Sequence, residues 1–194
     1  MTYPTLERYL AALPNGLASY PDVVAKAAVL RDTLSEGTPP ELPPELERWR
    51  VDPPGVSAWI PEVHFNALMT AIWDHRFAPD RARYDRWVHD RNLRLLGTPL
   101  YRVLFMVVSP ERLLIGAEKR WSAFRRGSSL RVLERDRHSA AIALSYPPHL
   151  QTELSVGGLG SALRAALELA GAKKVVVESG PLGETETRYQ ARWA

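Results

Sequence analysis

The sequence contains no cysteine. That absence removes disulfides, thiolate nucleophiles, thiolate-held zinc and cysteine-ligated iron–sulfur clusters together. Nor is there a run approaching the ~20 uncharged apolar residues of a membrane span, and Met1-Thr-Tyr-Pro-Thr-Leu-Glu-Arg8 lacks the basic-then-apolar order of a secretion signal. A cytoplasmic protein is therefore expected. Lysine is scarce, at Lys26, Lys119, Lys173 and Lys174 alone, so arginine supplies nearly all of the 25 cations, and 22 acidic residues almost balance them. That balance does not call for a nucleic-acid partner. The five histidines include no pair three or four residues apart, the spacing a helical zinc site needs. His64 and His75 would stand ~16 Å apart along a helix axis.

What is present is a chain of 194 residues, 45% hydrophobic and 24% charged, enough for one domain with a sizeable core. Three parts are distinguished: residues 1–37, an N-terminal helical segment; 38–58, a proline-rich connector; and 59–194, an α+β core domain that forms one unit with the N-terminal helices. In the first, Leu6, Tyr9, Leu10 and Leu13 share a helix face, and a second helix is predicted from Pro21 to Leu34, ending at Gly37. Paired prolines at 39–40, 43–44 and 53–54 predict an extended connector holding Trp49. Helices follow over Trp59–Arg76, over Arg81–Leu96 with Asp80 as cap, and over Pro110–Phe124 with Ser109 as cap. Leu100–Val108 between the last two is apolar nearly all round.

The last forty residues organise the rest. Gly157, Gly158 and Gly160 introduce a helix striped by Leu159, Leu163, Ala166, Leu167 and Ala170, which Gly171 stops. Lys173–Ser179 and Thr185–Trp193 read as strands around a Gly-Pro-Leu-Gly turn, and 129–134 with 138–146 read as an earlier hairpin turning at Asp136-Arg137. The fold class is α+β: helices packed with a four-stranded antiparallel sheet built from two hairpins separated by a helix.

Chemistry is harder to find. Ser155–Ser161 lacks the Gly-x-Ser-x-Gly arrangement of a nucleophile elbow, and Leu163 stands where a dinucleotide fingerprint needs its third glycine. The glycines instead suit close approach of helix and sheet. His89-Asp90 reads as a solvated helix face. Arg120, Arg125 and Arg126 interleave with Trp121 and Phe124, a pattern that either meets an acidic ligand or packs its aromatics inward and solvates its arginines.

Arg120-Trp-x-x-Phe-x-x-Gly127, Leu144-Ser-Tyr-Pro147, Gly157 with Ala166-Leu-Glu-Leu-Ala-Gly-Ala172, and Arg188-Tyr-x-x-x-Trp193 resemble a paralogous family of uncharacterised myxobacterial proteins. Tyr20-Pro-Asp22 and Lys26-Ala-Ala-Val-Leu-Arg31 fit the same resemblance. That family is distantly similar to haem nitric-oxide sensor domains, vinyl-reductase-type ligand-binding domains and vesicle-tethering subunits. The sensors hold haem with a helical histidine and a Tyr-x-Ser-x-Arg strand end. Here the strand end reads Tyr146-Pro-Pro-His-Leu150 and Pro110–Phe124 carries no histidine. Neither haem nor any other cofactor is expected.

The leading expectation is a non-catalytic small-molecule-binding or sensory module with an apolar pocket between helices and sheet. Tyr101, Trp121, Phe124 and Tyr146 are placed near that pocket, with Arg120 or Arg125 meeting an acidic ligand group. The partner would be an apolar or acidic small molecule. The alternative is an interaction or scaffolding module without a pocket, a homodimer joined through its helical half and the Leu100–Val108 segment. A third reading is an enzyme acting on an apolar small molecule, helped by Asp74, His75 or Glu134.

Overall fold

The computed structural model describes residues 2–36, 39–99, 101 and 109–194. Its centre is α4, Glu62–Ile72, every residue of which is buried. A helix wrapped on all sides must satisfy its polar side chains internally. Asn66 Nδ2 donates to the Leu150 carbonyl at 2.9 Å, and Thr70 Oγ1 donates to the Ala67 carbonyl at 2.8 Å. Glu62 pairs with Arg125 and accepts from Gln151 Nε2 at 2.9 Å. His64 accepts from Trp49 Nε1 at 3.0 Å through Nδ1 and donates through Nε2 to the Leu17 carbonyl at 3.1 Å.

The two partners of His64 select its neutral form, and burial holds its pKa below the ordinary histidine value against the opposing pull of the Leu17 carbonyl. The unfolded chain therefore takes up the proton first. This contribution to stability is complete above about pH 6.5 and is lost as pH falls from there through the lower folded pKa. Urea unfolding at pH 7.5 and pH 5 should show that loss, and His64→Gln should flatten it. An unchanged pH slope in the variant would assign the proton elsewhere.

Against α4 pack α1 (Pro4–Ala12) and α3 (Pro44–Val51); α5 (Arg81–Gly97) meets it with Arg91 over the Phe65 ring, and α2 (Ala27–Ser35) packs on α5. Asp74, in the π-turn Trp73–Phe77 that ends α4, accepts from the Thr5 and Leu6 amides at 2.7 and 3.1 Å and so caps α1. α5 buries Tyr84, Val88, Arg91, Asn92, Leu95 and Leu96 at helical spacing. Two shorter helices follow, α6 (Pro110–Ile115) and α7 (Ala117–Phe124), and α8 spans Glu153–Leu169.

The four-stranded antiparallel sheet has the order β4 (Ser129–Arg135), β5 (Ser139–Ser145), β7 (Glu186–Arg192), β6 (Val176–Ser179), two hairpins joined through β5 and β7. Ala140, Ile142, Leu144, Thr187, Tyr189 and Ala191 form its buried face. α8 lies on that face, tied by the Tyr189 hydroxyl donating to the Val156 carbonyl at 3.1 Å. A second sheet, β2-β1-β3, joins Trp59–Pro61, Val24–Lys26 and Arg125–Arg126.

Several sequence expectations shift. The helix expected from Pro21 begins six residues later, because Val24–Lys26 pairs as the middle strand of the small sheet, burying Ala25 opposite Ile60. The helix expected from Trp59 likewise starts at Glu62, after β2. The connector is not extended throughout: Pro44 opens α3, whose Leu46 is fully buried and whose Trp49 reaches His64. Gly116 divides the helix expected over Pro110–Phe124. α8 begins before its glycines, at a capping box in which Thr152 accepts from the Ser155 amide and Ser155 accepts from that of Thr152. Gly37 and, apart from Tyr101, the Leu100–Val108 segment lie outside the described residues.

Candidate functional site

Between α8, the helices and the β4–β5 hairpin lies a cavity of about 160 Å³. It is partly open to solvent rather than a sealed void, and its lining is mainly apolar. α4 contributes Phe65, Asn66 and Met69, and α5 contributes Arg91, Asn92 and Leu95. Leu113 and Leu114 enter from α6. The α8 wall is formed by Gly158, Leu159, Ala162 and Ala166, and the sheet supplies Leu130 and Ile142. The small residues on α8 leave the space that longer side chains would occupy. Gly160, on another face, lets the helix settle on the sheet: a Cβ there would lie 3.3 Å from the Tyr189 ring.

Arg120, Trp121, Phe124 and Arg125 all line the cavity. Trp121 donates through Nε1 to the Ser128 carbonyl at 3.2 Å, which fixes the indole at the junction of α7 and β4. Tyr101 stacks on Phe124, ring centroids 4.8 Å apart, behind the wall. Tyr146 lies elsewhere, its hydroxyl 2.6 Å from Thr187 Oγ1 and donating to the Gly183 carbonyl at 2.9 Å. Burial raises the pKa of Tyr84, which lines the cavity, and of Tyr101 and Tyr146, so all three phenols stay protonated at neutral pH.

Sequence reasoning missed Arg91 and Asn92. Arg91, 3% exposed, donates through Nη1 to Thr33 Oγ1 and to the Val29 carbonyl, and Asn92 Nδ2 donates to the Gly158 carbonyl at 3.3 Å. Their place on the buried stripe with Tyr84, Val88 and Leu95 was the available signal. Arg125 is 7% exposed and its guanidinium meets the fully buried Glu62 carboxylate.

A second concavity, outside α5 and α8, holds a cluster that the sequence placed on a solvated face. His89 Nε2 is 3.1 Å from Glu168 Oε2, and His89 Nδ1 is 3.4 Å from Ser161 Oγ. Ser161 sits inside α8, where its backbone amide belongs to the helix ladder, so the backbone offers no oxyanion hole beside it. Asp74, considered as an acid–base group, is the cap of α1. Among the described residues no group of three or more His, Asp or Glu side chains is placed to hold a metal ion.

No protein-family model matches the sequence, and no curated protein matches it. Solved structures do. A Cs H-NOX variant carrying an unnatural cyano-phenylalanine is similar at a TM-score of 0.57 and 8% identity, over 87% of this chain and 96% of that one. A Fe(II) unliganded H-NOX variant from K. algicida is similar at 0.54 and 9%, over the same shares. A third, solved in a study of heme distortion in the H-NOX family, is similar at 0.54 and 6%, over 87% and 92%. The chain has an H-NOX-like fold.

The cavity wall does not fit haem. None of its described residues is a histidine, and about 160 Å³ falls below the ~300–1,000 Å³ of pockets that bury drug-sized ligands. His64, buried on α4, spends both ring nitrogens on Trp49 and Leu17.

Proposed function

We propose that this chain is a small-molecule-binding or sensory module whose ligand fills the cavity between α8 and the helical layer. The observation that supports it is the cavity itself, about 160 Å³ walled mainly by aliphatic and aromatic side chains from six helices and two strands. A ligand that fills it would cover apolar side chains from α4, α7 and α8. The H-NOX-like architecture supports the reading as a fold able to enclose a small molecule, with a different wall.

Native mass spectrometry of freshly purified protein tests for a retained ligand. Independently, toluene at ten times its Kd should raise the unfolding midpoint by about 3–6 °C. Ala162→Phe, which fills the α8 wall, should abolish that response. No toluene shift in the parent protein, with no chemical-shift change at Phe65, Leu113 or Ala162, would overturn the proposal.

A further inference from the structure

The cavity wall is mainly apolar, and the charged groups that reach it are already engaged. Arg125 pairs with Glu62, Arg91 donates to Thr33 and to the Val29 carbonyl, and Arg120 Nη1 donates to the Leu113 carbonyl at 3.0 Å. The neutral polar groups divide differently. Asn66 donates to the Leu150 carbonyl and meets the Tyr9 hydroxyl, Trp121 donates to the Ser128 carbonyl, and Ser155 belongs to the capping box of α8. Asn92 is only half satisfied.

Asn92 is 4% exposed, and its Nδ2 donates to the Gly158 carbonyl at 3.3 Å. That bond fixes which end of the amide is which, since an oxygen in the same place would set two acceptors against each other. Oδ1 is then left with no hydrogen-bond partner among the described residues. Nor is it one of the side-chain atoms sealed off without a partner, so it keeps contact with open space, and the space Asn92 borders is the cavity. The Tyr84 hydroxyl, the other wall group with no hydrogen bond among the described residues, can donate or accept. An amide oxygen only accepts. Left unpaired in a mainly apolar wall it costs free energy that an arriving donor removes.

We propose that the cavity takes a compact, neutral, mainly apolar molecule carrying an N–H or O–H donor, and that this donor is given to Asn92 Oδ1. Size sets the body: an engineered apolar cavity of ~150 Å³ in another protein admits benzene. The apolar wall sets the charge, because an ion would give up its hydration to enter it. The acceptor-only oxygen sets the polar group. A hydrocarbon of the same shape fits but leaves Oδ1 unpaired, and a site that hydrogen-bonds its ligand discriminates against the analogue that cannot. The proposal rests on the cavity being a ligand site.

Aniline and toluene share a shape, and aniline is neutral at pH 7 and carries N–H donors. Calorimetric titration of the full chain with both, repeated on Asn92→Leu, separates the hydrogen bond from size and from the hydration of the amine. The ratio of the two affinities should shift about five- to tenfold toward toluene in the variant. Leucine is close to asparagine in volume, and the Gly158 carbonyl it no longer meets lies inside α8, where the helix ladder takes it, so the variant keeps its fold. In the parent protein, intermolecular NOEs from the Asn92 side-chain amide should reach the ortho protons of aniline rather than its para proton. An unchanged affinity ratio, an aniline whose para proton lies nearest Asn92, or toluene binding without aniline overturns the donor requirement and leaves the cavity as a ligand site. Failure of both probes overturns both.

Discussion

Arg125→Met is expected to destabilise the protein by about 3–5 kcal/mol, a large share of the ~5–15 kcal/mol that holds a domain of this kind together. Arg125 and Glu62 are 8% and 0% exposed at their side chains, so removing the guanidinium strands a carboxylate in the core with, among the described residues, the one side-chain donor Gln151 Nε2. Much of the loss is the penalty of that stranded charge rather than the worth of the pair. The double variant Glu62→Leu/Arg125→Met should therefore recover most of it, leaving about 1 kcal/mol for the hydrogen bond Gln151 loses. Urea unfolding of the two single variants and the double one gives the coupling energy directly. If the double variant is as unstable as the sum of the singles, the two groups act independently.

Gly127→Ala should cost about 2–4 kcal/mol from two sources that can be separated. Gly127 joins β3 to β4 with φ +78°, where an L side chain is strained, and a Cβ there would lie 2.8 Å from Val23 Cγ2, 2.9 Å from Val23 Cα and 3.1 Å from the Asp22 carbonyl. Val23 precedes β1, so the clash would push the small sheet away from the large one. Gly171, beyond α8, has φ +96° but nothing within 4 Å of a Cβ. Gly171→Ala should thus show the backbone strain alone, about 1–2 kcal/mol. Equal losses at the two positions in urea unfolding would mean that the close approach to Val23 contributes nothing.

The large sheet and its helix were legible because their signals are long. β4, β5 and β7 are seven residues each, enough for alternation to show, and Leu159 to Ala170 carries three turns of apolar stripe. β1 and β2 have three residues and β3 has two, too short for any period, so Val24–Lys26 and Trp59–Pro61 merged into the helices that follow them. The glycines of α8 looked like a helix start because glycine is a poor helix former. Their place inside the helix is explained by clearance: Tyr189 lies against Gly160, and the Arg81 guanidinium would stand 2.4 Å from a Cβ at Gly157.

The same limits govern the site. Arg120, Trp121, Phe124 and Arg125 lie within six residues of chain on α7 and β3, so their clustering could be read locally. Phe65, Met69, Arg91 and Asn92 reach the cavity from other helices, through packing that no single segment encodes. Trp49 illustrates the converse: set among prolines, it looked like a connector residue, and only the fold brings it to His64.

The pairing of β1 with β3 also bears on the order of assembly. Ala25 sits opposite Arg125, roughly 100 residues further along the chain. During synthesis at ~5–20 residues per second, the early segment waits roughly 5–20 s for that partner to be made. Over that interval Glu62 has no Arg125 and one edge of β1 is open, which is the state in which an unpaired strand recruits another chain. A polysome-bound fragment ending before Arg125 is therefore the species on which a chaperone has the most to do.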